Sequence, residues 1–295
     1  MRKIRIGLLE KKRGNFALQE KFAGKENVKD TTDIEVQHHY NALKKAGYDV
    51  IKLKWSQKII LDLNKLDVDI IFNISSIVEA AILEELNIKY VGSDIFGIIK
   101  ATDKALAKEI WIKDSLPTSP FVIAKTINDC DIFRNSPPFD FPLFIKPVAG
   151  RGSSGIDNSS IVFSYNKLAE GVKKRIEKIG QPVLIEKFIK GREITCGIIG
   201  NDHDIRALPL LEIDYQNGDK FLTFDKKEVD NDMFYCPARL SPNRAKFLQN
   251  LAIKAYKSIG LRDYGRVDMI LSEHDPFLLE VNSFAGLMRR PPRQK

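Results

Sequence analysis

Strand-like and helix-like segments alternate through the first third of the chain, and this alternation restricts the fold more than any other sequence feature. Apolar, β-branched runs at residues 3–9, 48–53 and 69–74 have the length of strands, and helical patterns occupy residues 31–46 and 79–86. Strands separated by helices pair in parallel through right-handed crossovers. The first third therefore predicts a parallel sheet covered by helices.

The remaining two thirds predict a different arrangement, with helices at residues 102–114, 165–179 and 242–259 between groups of strands. The strands are predicted at residues 121–124, 140–147, 182–188, 193–199, 206–213, 265–271 and 276–281. We therefore predict an α/β protein in three parts. These are an N-terminal α/β domain (1–96), a central α+β subdomain (97–188) and a C-terminal α+β subdomain with an antiparallel sheet (189–295).

Composition excludes several classes of protein. Of 295 residues, 43% are hydrophobic and 29% charged, which is typical of a folded globular chain, and no apolar run is long enough to span a membrane. The net charge of +8 suits nucleic acid or anionic small molecules equally, but no zinc finger, aromatic RNA-binding set or KH loop is present. Three widely spaced cysteines indicate neither a disulfide framework nor a zinc site, and they favour the reducing cytoplasm.

A lysine followed by a Gly/Ser-rich loop is the strongest local motif. A predicted strand ends with Lys146, and residues 149–155 follow with Ser153 and Ser154. Backbone N–H groups and hydroxyls of such a loop cradle phosphate oxygens, and a lysine adds a point charge. The pattern is not a Walker A loop, since G-x-x-x-x-G-K-[ST] does not occur. The alternative is an ordinary surface turn.

Two apolar strands near the C-terminus contain acidic residues. Asp268 lies in the first, and Glu280 and Asn282 lie two residues apart in the second, so they share a face of that strand. Across a hairpin, Asp268 would meet them. Two carboxylates and an amide oxygen suit Mg²⁺ bound together with phosphates. The alternative is surface charge at strand ends, although carboxylates within apolar strands are costly unless paired or metal-bound.

A third motif joins a strand that contains Glu186 to Gly191-x-Glu193 through a short linker. Backbone groups of such a linker suit the edge of a base, and a carboxylate suits ribose hydroxyls. The alternative is an amphipathic strand followed by a turn.

Six motifs, taken in chain order, resemble the ATP-grasp carboxylate–amine ligases, and D-alanine–D-alanine ligases most closely. They are Lys104 in Ala-Thr-Asp-Lys, Lys146-Pro, the Gly-Ser-Ser loop, Glu186-Lys-Phe-Ile with Gly191-x-Glu193, Gly265-Arg-x-Asp and Glu280-Val-Asn282. The resemblance covers residues 72–287. It implies an ATP-grasp fold, in which the two α+β subdomains clasp ATP.

The resemblance also implies residue roles. It assigns a set of residues to ATP: Lys104, Lys146, Ser153, Ser154, Glu186, Lys187, Phe188, Ile189, Glu193 and Lys227. Lys227 would face the γ-phosphate, with Lys226 as the alternative, and Ser153 would close over the phosphates. Arg266 would steady an acyl phosphate, and Asp268, Glu280 and Asn282 would hold two Mg²⁺ ions, with Mn²⁺ as a substitute.

The activity implied is ATP-dependent amide formation between two amino acids through an acyl phosphate, as in peptidoglycan biosynthesis. A homodimer in the cytoplasm is compatible with the resemblance, and we expect neither a nucleic-acid nor a membrane partner. Two other hypotheses remain: a nucleotide-binding protein without ligase activity, and a nucleic-acid binder that uses the +8 charge.

The amino-acid half departs from the family pattern. Gly7-Leu-Leu-Glu10 stands in place of Gly-Gly-x-Ser-x-Glu, and the serine and leucine expected to hold the second D-alanine are missing after Gly286. Gly286 and Arg289 are the candidate substrate residues, and a basic tail is the alternative for Arg289. We therefore expect a ligase with altered substrate specificity, and a ligase for other L-amino acid or peptide substrates is the alternative.

Overall fold

The computed structural model describes residues 2–10, 32–74, 77–150, 155–215 and 233–286. The described helices are α1 (Thr32–Lys45), α2 (Gln57–Asp62), α3 (Ile77–Glu85), α4 (Ile95–Thr102), α5 (Lys104–Lys113), α6 (Ile132–Asn135), α7 (Tyr165–Ile179) and α8 (Pro242–Ile259). The described strands are β1 (Arg5–Glu10), β2 (Asp49–Lys54), β3 (Ile70–Asn73), β4 (Tyr90–Val91), β5 (Phe121–Ala124), β6 (Leu143–Pro147), β7 (Ile161–Val162), β8 (Val183–Lys187), β9 (Arg192–Ile199), β10 (Arg206–Ala207), β11 (Leu211–Asp214), β12 (Met233–Tyr235), β13 (Tyr264–Leu271) and β14 (Pro276–Asn282).

The N-terminal sheet is parallel, as predicted, with strand order β2-β1-β3-β4. Successive residues Leu8 and Leu9 of its central strand are both fully buried, and they belong to different apolar clusters. A parallel strand with apolar layers on both faces reads as a continuous apolar run. Phe284, from the far end of the chain, packs against the cluster that contains Leu9 and Leu53.

The helix predicted over residues 102–114 is present as α5, and a further helix, α4, which was not predicted, precedes it. Asp103 separates them in an extended conformation, and its carboxylate accepts a hydrogen bond from the backbone N–H of Leu106 at 2.9 Å, capping α5. Gly97, read as the start of a new block, lies inside α4. The helix packs closely there, since a Cβ on residue 97 would lie 3.0 Å from the carbonyl oxygen of Gly260. The domain boundary predicted between residues 96 and 97 therefore falls within a helix.

The central sheet is antiparallel, with strand order β5-β8-β6-β7, and α7 packs against β6. Ile145 of β6 meets Leu168 and Val172 of α7 in one buried cluster. Gly171 permits this close packing, because a Cβ there would lie 2.5 Å from the side chain of Ile145. Helix α7 has the bounds predicted from sequence and ends at Gly180 in a left-handed conformation.

The C-terminal sheet is antiparallel, with order β12-β11-β9-β13-β14 and β10 paired to β9. The strand predicted over residues 206–213 is two strands, β10 and β11, separated by residues 208–210. Helix α8 matches its prediction, begins after the N-cap Ser241 and ends at Gly260. Its buried face includes Leu248 and Tyr256, which join the largest apolar cluster.

Contacts join the N-terminal sheet to the C-terminal subdomain. The backbone N–H of Gly92 donates to the carboxylate of Asp263 at 2.7 Å, and the hydroxyl of Ser93 contacts the backbone of Arg262. The rings of Phe72 and Tyr264 stack with centroids 6.0 Å apart. In the part of the chain that is described, no helix is long and apolar enough to cross a membrane.

Trp111→Ala is expected to lower the free energy of unfolding by about 3–5 kcal/mol. Trp111 of α5 is 0% exposed, and its indole N–H donates to the carbonyl oxygen of Ala255 at 3.1 Å, so truncation leaves a cavity and removes this hydrogen bond. Urea unfolding followed by circular dichroism measures the change. Ile112→Ala is the matched control, because Ile112 is 56% exposed and should shift the midpoint little. Equal shifts for the two variants would contradict this packing.

Candidate active site

Two of the predicted phosphate lysines lie at one place in the fold. Lys104 begins α5, and its backbone N–H donates to the carbonyl oxygen of Val148 at 3.0 Å, which fixes the start of α5 beside the end of β6. The Nζ of Lys104 donates to the carbonyl oxygen of Gly150 at 2.9 Å and lies 3.7 Å from the carboxylate of Glu280. Burial lowers the pKa of Lys104, and the attraction of Glu280 opposes that shift.

Lys146 of β6 is paired with Glu186 of the neighbouring strand β8. The Nζ of Lys146 lies 2.8 Å from one oxygen of Glu186, and the Nζ of Lys108 lies 2.7 Å from the other. Burial acts to raise the pKa of Glu186, but the two ammonium groups outweigh it and lower this pKa to about 2. Burial likewise opposes the charged form of Lys146, yet Glu186 and Glu280 raise its pKa. Burial lowers the pKa of Lys108, and the attraction of Glu186 opposes that shift. The ionised states of Glu186 and Lys146 are therefore maintained inside the protein.

The predicted acidic residues meet across the β13–β14 hairpin. Asp268 pairs with Glu280 in register, next to a β-bulge between Asp268 and Met269. Arg266 grips Asp268 with both Nε and a terminal nitrogen at 2.7 Å, and the amide of Asn282 donates to Asp268 at 2.9 Å. The charges of Lys104, Lys146 and Arg266, with a hydrogen bond from Asn282, outweigh burial and lower the pKa of Glu280.

These donors fit a Mg²⁺ site by their chemistry. Asp268 and Glu280 supply carboxylate oxygens on paired residues of the hairpin, and the amide of Asn282 lies between them. The side chain of Glu280 remains 32% exposed, so one carboxylate faces open space. The proposed Mg²⁺ ligands are thus two carboxylates and one amide. Within the described residues, no group of three or more His, Cys, Asp and Glu side chains could hold a metal ion.

Glu193 lies on β9, paired with Ile213 of β11 on one side and Ile270 of β13 on the other. The hydroxyl of Tyr215 donates a hydrogen bond to its carboxylate. Burial raises the pKa of Glu193 to about 7, although the bond from Tyr215 favours the ionised form, and the charges of Asp268 and Glu280 raise it further. Glu193 therefore changes charge near neutral pH.

The structure brings only some of the predicted residues together. Lys104, Lys146, Glu186, Glu193, Arg266, Asp268, Glu280 and Asn282 form the connected set just described. The side chain of Lys187 instead donates to the carbonyl oxygen of Asp140 at 2.7 Å. The backbone N–H of Phe188 donates to the carbonyl oxygen of Pro142 at 3.1 Å. Ile189 follows in the linker, and Gly286 is exposed with no atom within 4 Å of a built Cβ. Four predicted residues lie outside the described part of the chain: Ser153, Ser154, Lys227 and Arg289.

Sequence reasoning missed three residues at this site. Lys108 contacts Glu186, Thr195 donates through its hydroxyl to Asp268, and Tyr215 donates to Glu193. Helical spacing could have found Lys108, because it follows Lys104 by four residues on α5 and so shares its face. Strand spacing could have found Thr195, which is two residues after Glu193. No local signal marks Tyr215.

The sequence of this chain is similar to those of known proteins. A family model described as "D-ala D-ala ligase C-terminus" matches residues 111–290, which is more than half of the chain. The D-alanine–D-alanine ligase of Syntrophobacter fumaroxidans is 33% identical over 256 residues, covering 84% of this chain and 81% of that protein. The chain belongs to the D-alanine–D-alanine ligase family. The D-alanine–D-alanine ligase of Ralstonia nicotianae is 34% identical over 215 residues, and the match spans 70% of this chain but only 61% of that protein.

Solved structures of D-alanine–D-alanine ligases share the fold. The Bacillus anthracis enzyme complexed with ATP superimposes with a TM-score of 0.70 at 20% identity, covering 97% of this chain and 88% of that one. The VanG D-Ala:D-Ser ligase of Enterococcus faecalis gives the same TM-score at 21% identity, covering 97% and 91%. The predicted α/β ATP-grasp fold is therefore confirmed.

Glu193→Gln is expected to stabilise this D-alanine–D-alanine ligase homologue at pH 8 by about 1 kcal/mol, and less at pH 5. The pKa of Glu193 is about 7 when folded, against 4.5 for an ordinary carboxyl. A raised acid favours folding below its unfolded pKa, and this contribution is lost as the pH rises towards 7. A neutral amide avoids that loss and still accepts from Tyr215.

Urea midpoints of the wild type and Glu193→Gln, measured from pH 5 to pH 8, check this dependence. Glu85→Gln, an exposed change on α3, should show no such trend. A difference between Glu193→Gln and the wild type that is constant over this pH range would rule out titration of Glu193 as its cause.

Proposed function

We propose that this chain is an ATP-dependent carboxylate–amine ligase that joins two amino acids, with D-alanine as the substrate of first choice. One observation carries the proposal: the contact of Lys104 with Glu280 joins the lysines of the central subdomain to the acidic hairpin of the C-terminal subdomain. An ATP-dependent ligase needs cations for the phosphates beside ligands for a metal ion. The names of the relatives supply the substrate class.

In this proposal, positioning and charge neutralisation perform most of the chemistry. Lys104 and Lys146 bind phosphate oxygens of ATP. Lys187 at the end of β8, with Phe188 and Ile189 in the linker that follows, binds the adenine edge. The carboxylate of the first amino acid attacks the γ-phosphate and gives an acyl phosphate and ADP. The amine of the second amino acid then displaces phosphate, so that an amide forms and the amine loses a proton.

Arg266 is proposed to bind the oxygens on which charge develops during both steps. Asp268 holds the guanidinium through two hydrogen bonds and fixes its direction, which is the form of pre-organisation that stabilises a transition state. Asp268, Glu280 and Asn282 would hold Mg²⁺, or Mn²⁺ in its place. When bound, the metal would supply positive charge to the phosphate oxygens.

The remaining assignments are also proposals. Lys227 and Ser153 would contact the γ-phosphate, Ser154 would close the phosphate loop, and Gly286 and Arg289 would contact the second substrate. The altered sequence around Gly286 favours a test of other L-amino acids and peptides. A ligase that supplies peptidoglycan synthesis would act in the cytoplasm, and a homodimer is the proposed assembly.

The deciding experiment measures ADP release with Mg²⁺ and ATP across D- and L-amino acids, singly and in pairs, with mass spectrometry of the product. Release that needs D-alanine and gives its dipeptide supports the proposal in full. Release with another amino acid retains the ligase and replaces the substrate. Bound ATP without release for any substrate would favour the nucleotide-binding alternative.

Glu280→Gln is expected to lower kcat by on the order of 100-fold, because it removes a carboxylate from the proposed metal site. Glu273→Gln is the matched control, since Glu273 is an exposed glutamate in the turn of the same hairpin and should retain activity. Titration with Mg²⁺ gives the second readout, in which only Glu280→Gln should need more metal. Equal kcat values for the two variants would exclude Glu280 as a metal ligand.

A further inference from the structure

Lys108 is buried beside the proposed phosphate site, as are the two phosphate lysines Lys104 and Lys146. Lys108 is 0% exposed, Glu186 3% and Lys146 6%, and the carboxylate of Glu186 lies between the two ammonium groups. None of the six sequence motifs includes Lys108. Burial of an ammonium ion is costly, so its retention at this place requires an explanation.

The charge balance of this triad depends on Lys108. Two lysines and one glutamate leave a net charge of +1, which is available to an anion beside Lys146. Without Lys108, Glu186 would pair with Lys146 alone, and the charge of Lys146 would be cancelled at short range. Lys146 would then be a poor binding partner for phosphate.

Lys108 also connects the two subdomains. Its Nζ donates to the hydroxyl of Thr118 at 2.6 Å and to the hydroxyl of Ser119 at 2.9 Å. Thr118 in turn donates to the carbonyl oxygen of Leu278 at 2.7 Å, on β14 two residues before Glu280. The same ammonium group therefore holds Glu186 of the central sheet and the linker that is hydrogen bonded to the metal-ligand strand.

We propose that Lys108 is a positioning residue that keeps Lys146 available as a cation for the phosphates of ATP. This inference rests on the ATP site of the proposed function. Lys108 does not touch the nucleotide and acts through Glu186. Because Lys108 neutralises part of the negative charge of Glu186, the positive charge of Lys146 remains available to a phosphate.

The test compares ATP with adenosine, because adenosine lacks the phosphates on which Lys146 acts. Lys108→Met should weaken ATP binding by about tenfold, equal to about 1.4 kcal/mol, and change adenosine binding less than twofold. Isothermal titration calorimetry with the full chain measures both. Lys113→Met, an exposed change on the same helix, is the control and should change neither.

A double variant separates charge from packing. Lys108→Met with Glu186→Gln restores a net charge of +1, carried by Lys146 alone, and should return the ATP-to-adenosine affinity ratio to within about threefold of the wild type. It also removes the buried carboxylate that has lost one of its two lysine partners, so it carries the test if Lys108→Met does not fold. Equal loss of ATP and adenosine affinity, or no recovery in the double variant, would overturn the inference.

Lys146→Met distinguishes this inference from the proposed function. If the wild type binds no ATP, or if Lys146→Met binds it as well as the wild type, the proposed phosphate site is wrong. If Lys146→Met loses ATP affinity and Lys108→Met retains it, the site is correct and only the role of Lys108 is rejected.

Discussion

The centre of this protein depends on the contacts of the buried Glu186 carboxylate with Lys108 and Lys146. Lysine ammonium groups from α5 and β6 enter the interior, and neither could remain charged there without a carboxylate between them. Because Lys108 also holds Thr118, which is hydrogen bonded to β14, the position of the acidic hairpin follows from the same group of charges. The central and C-terminal subdomains are thus joined by polar contacts at the site itself, and the apolar clusters surround them.

Much of the fold could be predicted from sequence, since local signals and tertiary packing agree in most elements. Helices α7 and α8 have their predicted bounds because Gly180 and Gly260 end them in left-handed conformations. The prediction failed at α4, which lies directly before the helix that was predicted. Gly97 in α4 serves packing instead of marking a boundary.

The candidate site was predictable to the extent that it follows strand periodicity. Asp268 and Glu280 share a register that alternation and a hairpin imply, and the structure confirms their pairing. Helical spacing places Lys108 on the same face as Lys104, but its burial was not predictable, because a lysine on a helix is most often solvated and only tertiary contacts show its burial. Tyr215 lies outside every motif, and only the pairing of β9 with β11 brings it near Glu193.

Phe284 connects the end of the described chain to its beginning. It follows β14 by two residues and packs in the same apolar cluster as Leu9, near the beginning of the sequence. The first and last described segments therefore complete one core, although the sequence divides them into separate domains. A cut between the N-terminal sheet and the rest would expose apolar surface on both pieces, so the two parts of the chain fold as one unit.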